Sequence, residues 1–322
     1  MRPSSPLYVV AAGHAHPENE VSSDDLESQI PGISPGWSRK HLGMESRRIL
    51  GPHERAVDLA VTAARNAMSD VGWEQGALDL VVGGSVFPDQ IVPASAAFVA
   101  NACSPLAVAF DLNAACSTAL FGLATVAGMF AVDERLDRAA ICTADHPTAW
   151  VDYTDPHSSI FFGDAGSALL LARDPGEKGG FELLGVELEG DSEFPERVFT
   201  HRAGFFRSDG RYSFSQVMRM SGLVVGRLLA EHGATASDLA AFAVHQASSR
   251  VVETLAQNLG VSIERGWHNY EWAGNQSASG VVTAFSKGWH EARPSLRDGD
   301  LVLLAAVGGG YTAGAALLRW TA

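Results

Sequence analysis

With 322 residues, 46% of them hydrophobic, the chain can bury a core larger than one average domain needs. Its formal net charge of -14 argues against nucleic-acid partners, whose phosphates select surfaces rich in Lys and Arg. Residues 1–6 lack the apolar run of a secretory leader and no stretch is read as a membrane span, so a soluble cytoplasmic protein is expected.

In chain order, Ala56 to Val71 carries Val57, Leu59, Ala60, Ala63, Ala64 and Ala67 at helical spacing, which predicts an amphipathic helix. The apolar run 80–83, closed by Gly83, predicts a buried strand. Residues 108–112 read as a further strand. They pass through the small residues 113–117 into an almost wholly apolar helix over 118–131, hence a central one. Segment 181–185 is strand-like. Segments 217–232 and 251–259 are helical, flanking a strand over 240–244. A helix over 281–287 and a strand over 301–307 close the series. Strands alternating with helices imply an α/β architecture with both sheet faces covered.

The chain also repeats itself. The helix 56–71 leads to Asp79-Leu80 and a strand, and the helix 217–232 leads to Asp238-Leu239 and a strand. Gly166-Ser-Ala-Leu-Leu-Leu171 is echoed by Gly314-Ala-Ala-Leu-Leu318. Two echoes in the same order indicate a duplicated unit. The turn-rich stretch 173–180 is the expected join, giving halves 1–174 and 175–322.

Three cysteines, Cys103, Cys116 and Cys142, form neither a disulfide framework nor a zinc pattern. Cys103 and Cys142 read as small buried hydrophobes. Cys116 differs, because it stands where a strand hands over to a central helix. A helix N-terminus stabilises a thiolate. His245, at the end of a strand, and Asn275, in a turn before a helix, are the polar partners a nucleophile needs.

Asp111-Leu-Asn-Ala-Ala-Cys116, His245-Gln-Ala247, Gly274-Asn275 and Gly308-Gly-Gly310 stand in the order and spacing of the ketoacyl synthase III family. Gly163-Asp-Ala-Gly-Ser-Ala168 resembles that family's structural glycine loop, and Trp37 with Gly43-Met-Glu-Ser-Arg-Arg48 resembles its N-terminal segment. The resemblance covers nearly the whole chain. It implies an α/β thiolase-like fold of two pseudo-symmetric βαβαβαββ halves in five αβαβα layers, assembled as a homodimer.

For the chemistry, it implies that Cys116 attacks a thioester and holds the acyl group. The backbone N–H groups of Cys116 and Gly309 would form the oxyanion hole. His245 and Asn275 would donate to the carbonyl of a malonyl-type thioester as it loses CO2. No metal or redox cofactor enters; coenzyme A or phosphopantetheine thioesters are the substrates. Acyl-CoA, acyl carrier protein or both are the expected partners, in fatty-acid initiation or a specialised polyketide pathway. Acyl transfer to an alcohol or amine is the alternative. Retention of Cys116, His245 and Asn275 together favours condensation.

The entrance departs from the family pattern. Trp37 matches a tryptophan that stacks on adenine, but the arginine expected four residues later is His41, leaving Arg39 and Lys40 as stand-ins. A second arginine position falls near Pro156-His157, where there is no Arg or Lys. Arg250 matches a position used to dock acyl carrier protein. Val92 stands before Pro93 where the family often has a bulky aromatic that reaches across the dimer. The smaller side chain predicts a donor acyl group larger than acetyl. Residues 194–206, with the aromatic pair Phe205-Phe206, are expected to form a flap over the substrate tunnel.

Overall fold

The computed structural model describes residues 1–201 and 204–322, except for the side chain of His157. The chain opens with β1 (Tyr8–Ala15). The short antiparallel strands β2 (Glu20–Ser22) and β3 (Ser46–Arg48) flank the helices α1 (Ser23–Gln29) and α2 (Trp37–Leu42). Then come α3 (Ala56–Val71), β4 (Leu80–Gly84), α4 (Ser95–Cys103), β5 (Val108–Asp111), α5 (Thr118–Val132), β6 (Arg138–Asp145), the single turn α6 (Pro156–Ser159) and β7 (Ala165–Ala172). The second half begins with β8 (Gly180–Gly190) and the two-residue strands β9 (Val198–Phe199) and β10 (Arg207–Ser208). It continues through α7 (Gly210–Glu231), β11 (Leu239–Val244), α8 (Ser249–Leu259), α9 (Tyr270–Ala273), α10 (Ser279–Ala292), β12 (Leu301–Gly308) and β13 (Thr312–Thr321).

Nine strands form one sheet in the order β11-β12-β13-β8-β1-β7-β6-β4-β5. Its two halves meet at β1 and β8 through only two register pairs, Tyr8 with Glu182 and Val9 with Phe181. Each half repeats one pattern: β4 and β6 are parallel and β7 returns antiparallel, as β11 and β12 are parallel and β13 returns antiparallel. Helices α3 and α4 cover one half-sheet and α7 the other, while α5 and α10 pack against strands of both. The result is five layers, αβαβα, with α5 and α10 in the middle.

Composition explains this placement. The helix α5 is apolar all round and buries Ala119, Leu120, Leu123, Val126 and Phe130, so it can only be central. Ala115–Val132 is long and apolar enough to span a membrane, contrary to the sequence expectation, but it lies in this central layer. The outer helix α3 turns Ala60, Ala63 and Ala64 onto the sheet, and these small side chains permit close approach. At Gly166 a Cβ would fall 2.3 Å from the Ala60 nitrogen.

Two expectations need correction. The ladders β6–β7 and β12–β13 open with the pairs Asp145–Ala165 and Gly308–Thr312, so Gly166 corresponds to Ala313, not to Gly314. Gly166 faces the outer helix α3, whereas Gly314 faces Leu120 of the central α5. The apparent glycine echo is therefore one residue out of register, and in a strand one residue reverses the face. In addition, α7 begins at Gly210 rather than near 217, with the Asp209 carboxylate accepting from the Tyr212 N–H.

Candidate active site

Two turns of the same design build the site, one before each central helix. In the first, Asn113 Oδ1 accepts from the Ala115 N–H at 2.9 Å and Ala115 takes φ 49°. In the second, Asn275 Oδ1 accepts from the Ser277 N–H at 3.0 Å and Ser277 takes φ 53°. Such i to i+2 bonds are what Asn brings to a turn. A non-glycine residue in the left-handed region is held there by its surroundings, and such positions cluster at functional sites. After the first turn comes Cys116, two residues before α5; Ser277 stands two residues before α10. The pseudo-symmetry brings the turns together, with Cys116 Sγ 3.8 Å from Ser277 Oγ.

One cavity of about 450 Å³ is lined by Cys116, His245, Asn275, Ser277, Gly308 and Gly309. The predicted nucleophile, donors and oxyanion loop thus share one space. The loop fits tightly: a Cβ on Gly308 would lie 2.6 Å from the Cys116 nitrogen, 2.7 Å from Ala115 Cβ and 2.8 Å from the Ala114 oxygen. Gly309 is less crowded, a Cβ there meeting Val198 Cγ1 at 2.9 Å. Most of the remaining wall is apolar and aromatic, with Asn113, Thr200, Ser208 and Ser213 as its polar members. Phe162 packs on Phe161 and Phe206 with ring centroids 4.5 and 5.0 Å apart, and Phe87 completes the group.

Burial sets the protonation states. It pushes the Cys116 thiol up to about 12, with the Ser277 hydroxyl acting in the opposite direction. The N-termini of both central helices lie beside the sulfur and favour a negative charge there. His245 is 5% exposed, and burial pushes its imidazole down to about 4, so it is neutral at pH 7. Its Nδ1 is buried without a hydrogen-bond partner among the described residues. A neutral imidazole has one N–H to donate. Asn275 uses its Oδ1 on Ser277, which leaves its amide NH2 as the donor for a ligand.

A buried clamp fixes the residues that follow His245 and Asn275. Gln276 Oε1 accepts from Thr283 Oγ1 at 2.7 Å and pairs with His16 Nε2 at 2.9 Å. Its Nε2 donates to Asn269 Oδ1 at 3.1 Å and to the Gly274 oxygen at 3.3 Å. Asn269 in turn donates its backbone N–H to Gln246 Oε1 at 3.1 Å. One chain of hydrogen bonds therefore ties His245-Gln246 to Asn275-Gln276. Asp145 anchors the same corner by accepting from the Ser279 and Val86 N–H groups at 3.0 and 2.9 Å. Burial pushes its carboxyl up to about 6.

The substrate-side residues are scattered. Trp37 is half-buried among Leu26, Ile30 and Ile160, its ring 4.9 Å from that of His41, and it does not line the cavity. Arg39 pairs with Asp24 and Glu45 at the surface, and Lys40 is exposed beside it. The side chain of His157 lies outside the described residues. Arg250 is exposed and sits 5.1 Å over the ring of Phe214, a cavity residue. Val92 is 82% exposed and also stands away from the cavity of its own chain. In the stretch 194–206, Val198, Phe199, Thr200 and Phe206 wall the cavity, while residues 202–203 lie outside the described residues.

Sequence reasoning missed Ser277, the wall residues Phe87, Phe161 and Phe162, and the glutamine clamp, whereas Phe206 of the expected flap does line the cavity. Only Ser277 had a local signal: it follows Asn275 at the i+2 spacing of an Asx turn, as Ala115 follows Asn113.

A strand-to-helix cysteine, a neutral histidine and an asparagine amide around one apolar cavity define a thiolase-fold site of the condensing type. Comparison with known proteins agrees. Residues 110–192 match the family model described as 3-oxoacyl-[acyl-carrier-protein] synthase III, and residues 229–320 match the model of its C-terminal part. A beta-ketoacyl-[acyl-carrier-protein] synthase III of Symbiobacterium thermophilum is 30% identical over 328 residues, covering 98% of each chain. One from Desulfotalea psychrophila is 29% identical, covering 98% of this chain and 99% of that one. The crystal structure of 3-oxoacyl-(acyl carrier protein) synthase III from Pseudomonas aeruginosa PAO1 superposes with a TM-score of 0.90 at 30% identity, covering 98% and 99% of the two chains. The chain belongs to the 3-oxoacyl-[acyl-carrier-protein] synthase III family.

Proposed function

We propose that this chain is a decarboxylating condensing enzyme. Cys116 attacks the carbonyl of an acyl-CoA or acyl-carrier-protein thioester. The S–C bond to Cys116 forms, the bond to the pantetheine sulfur breaks, and that sulfur leaves as a thiol. The backbone N–H groups of Cys116 and Gly309 take the oxyanion charge. A malonyl-type thioester then enters with its carbonyl toward His245 Nε2–H and the Asn275 amide. Loss of CO2 puts an electron pair on the α-carbon and negative charge on that oxygen, which the two donors stabilise. The carbanion attacks the acyl carbonyl, a C–C bond forms, and the bond to Cys116 breaks.

The observation that carries this reading is the convergence of Cys116, His245 and Asn275 on one cavity beside Gly308 and Gly309. A neutral His245 suits a donor to developing negative charge, because it offers an N–H without first needing a proton. On the partner side, the exposed Lys40 and Arg250 are the cations available to a phosphopantetheine-bearing donor. The uncovered sheet edge at β5, with Leu106 and Val108 exposed, supports a homodimer.

The test follows acylation and decarboxylation separately. The protein is incubated with acyl-CoA and then with malonyl thioester, while intact mass and CO2 are measured. Acylation that disappears in Cys116→Ala, with CO2 release that depends on His245 and Asn275, is the expected result. Acylation without CO2, followed by transfer to an alcohol or amine, would sink the condensation reading.

A further inference from the structure

Among the described residues, Ser277 is the hydroxyl within hydrogen-bonding reach of the Cys116 sulfur, and its position is built rather than incidental. It is fully buried, yet it borders the cavity beside Cys116. Its backbone occupies the left-handed region at φ 53°, which an L-residue adopts only when its surroundings impose it. Those surroundings are specific. Asn275 Oδ1 accepts the Ser277 N–H at 3.0 Å, the four-bonded Gln276 amide fixes the residue before it, and Asp145 accepts the Ser279 N–H two residues later. The residue at the same place in the Asn113 turn is Ala115, also at positive φ. The fold therefore makes this turn twice, and in the second copy the residue at that position carries a hydroxyl aimed at the sulfur, 3.8 Å away.

We propose that Ser277 is a further catalytic residue, whose hydroxyl donates a hydrogen bond to the Cys116 sulfur whenever that sulfur carries negative charge. This rests on the condensing reading for its place in the cycle. The sulfur is a thiolate twice. On loading, Cys116 loses its proton, the Sγ–C bond forms, the C–S bond to pantetheine breaks, and the proton ends on the departing pantetheine sulfur. On condensation, the new C–C bond forms, the Sγ–C bond breaks, and Sγ takes a proton from water. At both points burial disfavours the anion, and Ser277 is the side chain placed to oppose it. Its N–H simultaneously turns Asn275 Oδ1 away from the ligand, so one residue serves both halves of the reaction.

Two substitutions separate the hydroxyl from the backbone. Both Ser277→Ala and Ser277→Gly remove the hydroxyl and keep the N–H to Asn275. Glycine also relieves the positive φ, whereas alanine does not. The readout is the ultraviolet thiolate absorbance of Cys116, titrated with pH against a Cys116→Ala baseline, over the range where circular dichroism shows the fold intact. Both variants are expected to shift the titration upward by about one unit, so that the thiolate fraction and the iodoacetamide rate at a fixed pH fall about tenfold. Titrations that overlay the wild type, or a shift confined to Ser277→Gly, would overturn the proposal. The measurement uses no thioester. Failure of the wild type to load an acyl group would count against the condensing reading alone.

Discussion

In the proposed reaction His245 donates without carrying a charge at neutral pH. Burial lowers its pKa from 6.5 to about 4, so the neutral, donating form persists well into acid. Decarboxylation by acyl-loaded enzyme should therefore keep its rate down to about pH 5 and lose it only as pH falls through about 4. A CO2-release profile with an acid limb near 6.5 would refute the assignment. The same shift has a stability consequence. Between about 4 and 6.5 the unfolded chain takes up a proton that native His245 refuses, so this group makes the fold less stable as pH drops through that window. His16, lowered to about 4 by the same cause, adds to the effect. Gly308 gives a second prediction. Its missing Cβ makes room for the Cys116 nitrogen, Ala115 Cβ and the Ala114 oxygen, none of which is the end of a flexible side chain. Gly308→Ala should push the oxyanion loop off Cys116 and lower acylation kcat about a hundredfold or more. Gly309→Ala, which meets only Val198, should cost less. Equal losses in stopped-flow acylation would contradict the fit described.

Among the elements, the clamp between α9 and α10 is where sequence gives least warning and substitution should hurt most. Gln276→Leu keeps the volume but strands the buried Asn269 Oδ1 and takes the partner from His16 Nε2, while the Thr283 hydroxyl keeps Asn269 Nδ2 and the Gly280 oxygen. It should cost about 1–3 kcal/mol in denaturant unfolding. It should also lower CO2 release more than acylation, because the clamp ties down the chain beside Asn275 and His245 and reaches Cys116 only through Ser277. The clamp was illegible because its members are spread over residues 16, 246, 269, 276 and 283, and only the fold joins them. What was legible had a local cause. The strand over 301–307 and the helix 56–71 show their burial in their periodicity, and Cys116 stands at a readable strand-to-helix junction. The first two turns of α7 were missed for a functional reason. Ser213 and Phe214 line the cavity, and although Tyr212 and Phe214 also pack on the core, Gly210, Arg211, Ser213 and Gln216 break the apolar stripe there. The glycine echo misled because sequence shows identity but not the face a strand residue takes.

For the whole molecule, the question is what covers the β5 edge. Leu106 is fully exposed and Val108 is 55% exposed at the start of this edge strand; Ile91 and Val92 are exposed in the segment before α4, whose first N–H groups bind Asp111 at the other end of β5. An apolar, unpaired edge in a chain of net charge -14 is a template for a second copy. Leu106→Lys with Val108→Lys should weaken self-association at least about tenfold in sedimentation equilibrium, since central apolar contacts carry most of an interface's energy. A wild type that stays monomeric at all concentrations would remove the edge argument. The proposed dimer would also decide what Val92 does. It lies away from the cavity of its own chain, so it can shape an acyl pocket only in the partner. If it does, Val92→Phe should suppress loading of long acyl groups while sparing acetyl, and the double-lysine variant should abolish that discrimination. If Val92→Phe leaves the acyl-chain profile of Cys116 loading unchanged in the intact dimer, Val92 does not set the donor size, and selectivity rests on the phenylalanine wall of the chain's own cavity.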